Sequence, residues 1–276
     1  MATETTAGWE AGLDLGYTRS GDRTHLARRR HWGPLMVQRS FYPEGGEVCH
    51  TYIIHPPGGV VGGDRLDISV GCAQSARALV TTPGATRFYR APGRIARQRQ
   101  ILTVGNRACL EWLPQETILF DGANTVLETI VDVAAGGIFF GWEILCLGRP
   151  ASDEDFSHGD CRQKLEIRRD GRLLLSDCAR FASRSLLGAP WGLSGKPVSG
   201  MLLLVPASEM ALNMARASLS EQPHCQQAAT LVDGVLVVRC LADTAEQCRQ
   251  VLSQVWHGLR PLYLDRPACV PRIWAT

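Results

Sequence analysis

The sequence predicts a mainly β protein that carries two α-helices toward its C-terminus. Three observations point there. Short apolar runs with two-residue alternation recur along most of the chain. Turn-forming groups separate them at Pro43-Glu44-Gly45-Gly46, Pro83-Gly84, Pro92-Gly93, Asp121-Gly122, Gly136-Gly137, Asp170-Gly171 and Asp233-Gly234. Helical spacing behind a capping residue occurs only late, in two segments.

Taken in order, Leu13, Leu15 and Tyr17 alternate with polar or small residues and read as the first strand. Leu35–Phe41 and His50–His55 follow, then Leu66, Ile68 and Val70 with the same period of two. Arg77–Thr82, Gln98–Val104, Thr125–Val133 and Arg162–Arg168 complete the strand series. Asp170-Gly171 and Asp233-Gly234 lie between apolar runs and read as tight hairpins. Ser208 is placed to cap a first helix, with Met210, Leu212, Met214 and Leu219 toward one side. Asp243 or Thr244 caps a second, in which Cys248, Val251, Leu252, Val255 and Leu259 keep helical spacing and Gly258 lies near the end. With no repeat period and no low-complexity linker, residues 1–276 are expected to form a single domain. Alternation alone does not separate a sandwich from a stack of coils.

Composition narrows the function. The chain of 276 residues is 45% hydrophobic and 20% charged, which supplies a sizeable core. A net charge of +2 is too close to neutral to argue for nucleic acid or a membrane surface as a partner by electrostatics alone. No apolar run reaches the ~20 residues a membrane helix needs. Met1–Glu10 has no apolar signal-peptide segment, so a cytoplasmic protein is expected. The ten cysteines are dispersed without a C-x-x-C pair and read as reduced thiols, mostly small core residues.

His55-Pro56-Pro57-Gly58-Gly59-Val60-Val61-Gly62-Gly63-Asp64-Arg65-Leu66 is the most distinctive segment. It lacks the Gly-Lys-Ser/Thr ending and the G-x-G-x-x-G spacing of phosphate loops, a strand follows it, and Asp64 would repel phosphate. It does closely resemble the signature of the urease accessory protein UreD (UreH) family. Further blocks resemble that family in the same order: Val37-Gln38-Arg39 with Phe41-Tyr42-Pro43, Thr82-Pro83-Gly84-Ala85-Thr86 with Phe88-Tyr89-Arg90, Leu110-Glu111-Trp112-Leu113-Pro114-Gln115-Glu116, Phe120-Asp121-Gly122-Ala123, Trp142-Glu143 with Leu147-Gly148-Arg149-Pro150, and Pro271-Arg272-Ile273-Trp274.

The resemblance implies a β-helix-like stack of short strands with two flanking helices. It also implies a non-enzymatic role: binding UreF, which recruits the GTPase UreG, in a dimeric assembly that docks on apo-urease and delivers nickel. Ni²⁺ would then be a transient passenger rather than a tightly bound cofactor.

Nickel suits imidazole, carboxylate and water ligands. The seven histidines form no H-x-H and no i, i+4 pair, so a closed metal site is not expected. A protein that must release its ion is better served by scattered carboxylates and hydroxyls along a polar passage. Asp64, Glu143 and Asp177 stand where strand pattern predicts burial, and Thr86 (with Thr82) is placed to add hydroxyls. A buried carboxylate must be paired, hydrated or functional. The competing reading is burial in ion pairs, with Arg65, Arg87, Arg90 or Arg149 as partners. Arg87, Arg90, Arg94, Arg97 and Arg99, interleaved with Phe88 and Tyr89, suit the rim of a protein interface better than a nucleic-acid site. Trp256 and His257 on the second helix are expected to contact UreF. The apolar tail around Ile273 and Trp274 is expected to dock on the body of the protein. Two rivals remain: a docking scaffold that conducts no metal, and a hydrolase using Asp64 and Glu143 as paired carboxylates.

Overall fold

The computed structural model describes residues 8–182, 187–220 and 224–275; the N-terminal part of the Met1–Glu10 reading lies outside them. The chain climbs as a β-solenoid-like stack, crossing repeatedly between two sheets. One sheet runs in the order β14 (Arg172–Phe181), β13 (Asp160–Arg169), β11 (Asn124–Val133), β8 (Ala96–Val104), β5 (Arg65–Cys72), β1 (Glu10–Ser20), β2 (Arg23–Trp32). The other runs β16 (Cys225–Val232), β17 (Val235–Ala242), β15 (Val198–Val205), β12 (Ile138–Leu147), β9 (Cys109–Trp112), β6 (Arg77–Thr81), β4 (Val48–Ile54), β3 (Met36–Val37). The short strands β7 (Thr86–Phe88) and β10 (Thr117–Leu119) pair beside the end of β12 and add a narrow third face.

Successive coils stack parallel and in register. Leu66, Gln98, Leu127 and Gln163 form one row across β5, β8, β11 and β13. Ile68, Gln100, Thr129 and Leu165 form the next, and Val70, Leu102, Val131 and Ile167 the one after. Alternate residues of a strand share a face, so all three rows point between the sheets. The third row is wholly apolar and buried. The first two carry three amides and a hydroxyl, all at one end of the interior.

The second sheet is covered on both sides. Its inner face joins the core between the sheets through Cys49, Ala78, Leu110 and Phe139. Its outer face packs Phe140, Trp142, Leu202 and Val238 against α1 (Glu209–Ser218) and α2 (Ala245–Leu264). Strands buried on both faces lose their alternation, which is why the continuous run of β15 was not assigned from sequence. Both predicted hairpins form, with Asp170, Gly171, Asp233 and Gly234 at positive φ.

Ser208 caps α1 as expected, but the helix buries Ala211, Leu212 and Ala215 and leaves Met210 60% exposed. Its small residues face inward and its methionines do not. The expected Leu35–Phe41 strand shrinks to Met36–Val37. Thr244 caps α2 in a reciprocal capping box with Gln247. This helix runs past Gly258 and through Pro261 before Asp265 ends it at φ 55°.

The side chain of Arg260 explains that extension. It is fully buried and fixed at 2.9 Å to each oxygen of buried Glu111 on β9, at 2.7 Å to Glu44, and to the carbonyl of Pro267. The Trp256 indole donates to Glu111 at 2.7 Å, and Arg266 pairs with Glu44 and Glu47. The tail docks on the body as expected: Trp274 packs on Trp142 and Trp256, and its indole donates to Thr81 at 2.9 Å. Burial pushes the Glu44 carboxyl up, but hydrogen bonds from His50 and Arg260 outweigh this and hold it at about 2. Arg260→Met strips buried Glu111 of its counter-ion and Glu44 of one of its partners, so it should cost about 3–5 kcal/mol. Denaturant unfolding that gives a stability near wild type would contradict this placement of the charge.

Candidate functional site

The polar rows of the interior border a space that is partly open to solvent. A cavity of about 350 Å³ is lined by Gln98 and Gln100 of β8, Thr129 of β11, Glu143 of β12 and Gln163 of β13, and by the loops at 53–59 and 82–87. A second, of about 680 Å³, lies between the open ends of the two sheets, lined by Asp177 of β14, Arg239 of β17 and the segment 187–193. Glu143 and Gln163 are common to both walls. The two cavities meet at this pair.

Glu143 alternates inward along β12, between Trp142 and Ile144, which face the helices. It is half-buried and lines both cavities. Oε1 accepts the Thr129 hydroxyl, and Oε2 accepts the Gln163 amide at 2.7 Å. Gln100 Oε1 lies 3.5 Å from the same hydroxyl. Burial pushes the Glu143 carboxyl up; the Thr129 and Gln163 hydrogen bonds pull against this, and Asp177 adds to it. The Trp112 indole N–H, which borders the first cavity, is buried without a protein acceptor.

The other sequence-predicted residues fall in different places. Thr86 opens β7 and lines the first cavity beside Arg87. Thr82 lines it too, with its hydroxyl turned to the carbonyl of Gly84 and the N–H of Gln115. Asp177 lines the second cavity and is ion-paired with Arg239, a partner absent from the expected arginines. Asp64 accepts backbone N–H groups of Trp9 at 2.8 Å and Val61 at 2.9 Å. It borders a separate space of about 140 Å³ that shares His55, Pro57, Gly59 and Leu66 with the first cavity. Burial pulls the His55 imidazole down, with Asp64 opposing.

The glycine loop is shaped by close packing. A Cβ at Gly59 would lie 2.5 Å from the Tyr89 ring and 2.7 Å from the Arg87 carbonyl, and Gly63 sits at φ +98°. Gly59 lets the loop lie against β7 and form part of the cavity wall, while Gly63 packs under the Arg94 side chain.

Trp256 needs correction as a surface contact. Its indole is fully buried, held by Glu111 and packed on Trp142, whereas His257 beside it is exposed. The five arginines from Arg87 to Arg99 are all exposed, with Arg99 paired to Glu128 at 2.9 Å. Among the described residues, Glu44, His50 and Cys269 place potential metal ligands within 4.8 Å of one another. Arg260 and Arg266 already engage that Glu44 carboxylate, which makes the group an ion-pair anchor for the tail.

Sequence reading missed Gln98, Gln100, Thr129 and Gln163. The signal was present in Ala96–Val104, where arginines alternate with glutamines, so whichever face turned inward had to be polar.

This arrangement defines a class: a β-solenoid-like protein with a polar interior space bordered by a carboxylate that a hydroxyl and an amide hold. The family model described as UreD urease accessory protein matches residues 10–275. The urease accessory protein UreD of Pseudomonas fluorescens is 46% identical over 98% of this chain and 96% of its own. Those of Citrobacter koseri and an Azoarcus species are each 44% identical over 98% of this chain, covering 93% and 95% of their own length. The chain belongs to the UreD family of urease accessory proteins, and its role lies in urease maturation.

The raised Glu143 pKa carries a sign. Stability from its protonated form is fully present below the ordinary value of 4.5 and is lost as pH rises through the raised one. Glu143→Gln removes that loss, so thermal midpoints of the variant should exceed wild type more at pH 8 than at pH 5. Parallel pH curves for the two proteins would contradict the assignment.

Proposed function

We propose that this chain is a non-enzymatic maturation factor that assembles with UreF, and through it UreG, on apo-urease and conducts Ni²⁺ toward the urease active site. The observation that carries this reading is that two cavities adjoin at Glu143. Thr86 stands on one side of the junction and Asp177 on the other, while Asp64 and His55 shape the wall near the first cavity. Oxygen and amide groups spaced along such a route hold an ion weakly and leave it partly hydrated, which favours release. The ion is cargo; no tightly bound cofactor is required. Exposed His257 and the arginine-rich side around Arg90 and Arg94 supply surface for the protein partners. The loop that lacks a phosphate-binding pattern leaves GTP chemistry to UreG. A cytoplasmic location accords with this role, and no helix among the described residues is long and apolar enough to cross a membrane.

A docking scaffold that conducts no metal is the second reading. The Asp177–Arg239 ion pair and the backbone bonds of Asp64 favour it, since both carboxylates already have structural partners. A hydrolase fits less well, because Asp64 and Glu143 border different cavities.

The two readings part on buried substitutions. With UreF, UreG and apo-urease present, Glu143→Ala and Asp177→Ala should leave the complex intact and lower urease nickel about ten-fold, equivalent to about 1.4 kcal/mol at one step of transfer. An intact complex with normal nickel content would leave the scaffold.

A further inference from the structure

Resting on the reading that a cation crosses the two cavities, a further inference concerns what stands at their junction. Among the described residues, only Glu143 and Gln163 belong to both walls. The Glu143 carboxylate is held from two sides: by Thr129 of β11 at Oε1 and by Gln163 of β13 at Oε2. These holders lie on neighbouring strands of the facing sheet, with Thr129 in register with Leu165 and Gln163 with Leu127. The carboxylate is therefore fastened across the gap from one sheet to the other. Both holders are neutral, unlike the guanidinium on buried Glu111. A neutral holder yields to a dication far more readily than an arginine does, because no charge pair is broken.

We propose that Thr129 and Gln163 latch Glu143 across the junction, and that a divalent cation passes only by taking the carboxylate from them as its own ligand. Thr129 and Gln163 are positioning residues; Glu143 is the group the ion meets. Opening the latch costs two hydrogen bonds to a carboxylate, so the device discriminates by how strongly an ion binds oxygen and nitrogen ligands. In the first-row series that strength rises from Mn²⁺ to Ni²⁺.

The test uses the complete assembly on apo-urease, supplied with equal concentrations of Ni²⁺ and Mn²⁺, and reads both metals in the recovered urease. Thr129→Val and Gln163→Leu each free one oxygen of Glu143. Each should lower the nickel-to-manganese ratio by about three-fold or more, while Thr129→Ser restores it. A ratio unchanged in both variants, whatever the total metal, overturns the latch, because a packing defect lowers both metals together. Gln163→Trp separates this from failure of the passage itself. An indole there is large enough to fill the junction, so nickel transfer should stop while the complex forms normally. If a Gln163→Trp protein that still assembles delivers normal nickel, no ion passes this point and both the passage and the latch fall. If it blocks transfer but the metal ratio does not respond to Thr129→Val or Gln163→Leu, the passage stands and the latch falls.

Discussion

In-register parallel stacking governs the rest of this structure. Once β5, β8, β11 and β13 pair residue for residue, every inward position becomes part of a row running through the stack. A row of Val70, Leu102, Val131 and Ile167 can close tightly, and each such side chain removed from water contributes about 1.5–3 kcal/mol. A row that includes Gln98 and Gln163 cannot collapse in this way, because buried amides must keep hydrogen-bond partners. The interior is thus solid at one end and open at the other. The polar space follows from which residues occupy two adjacent rows, with no special loop needed to create it.

Two buried glutamates show how the same residue type serves opposite purposes. Glu111 points outward from β9 and meets Arg260 through both oxygens, with the Trp256 indole as a third donor. That charge is neutralised in place, and the pair ties a strand, a helix and the C-terminal tail into one unit. Glu143 points inward from β12 and, among the described residues, is hydrogen-bonded by a hydroxyl and an amide. It keeps its capacity to bind a cation or a proton. The helices matter to the site indirectly: by covering the outer face of the second sheet they fix β12, and hence the depth at which Glu143 sits.

Much of this was legible in the sequence, for identifiable reasons. The tight turns at Asp170-Gly171 and Asp233-Gly234 show because positive φ demands particular residues. Thr244 and Gln247 mark the start of α2 because orphan N–H groups need specific acceptors. Ile273 and Trp274 betray a docked tail because such side chains rarely remain in water. What stayed hidden depends on partners far away in the chain. The burial of Trp256 is decided by Glu111, 145 residues distant. The choice of Arg239 for Asp177 follows from the closeness of β14 and β17 at the open end of the stack, which no local pattern reveals. Glu143 could be singled out as a charge in an apolar strand, but the glutamines around it looked like surface residues until register placed them inside.

The central claim is that the junction at Glu143 is a place where a nickel ion comes to rest on its way through. The most direct measurement is anomalous diffraction at the nickel edge from crystals of the protein in its complex, soaked in Ni²⁺. A nickel peak should stand within coordination distance of Glu143, with Thr129 and Gln163 released from the carboxylate. Nickel found only at exposed histidines or beside Glu44, His50 and Cys269, with Glu143 still held by its two partners, would contradict it.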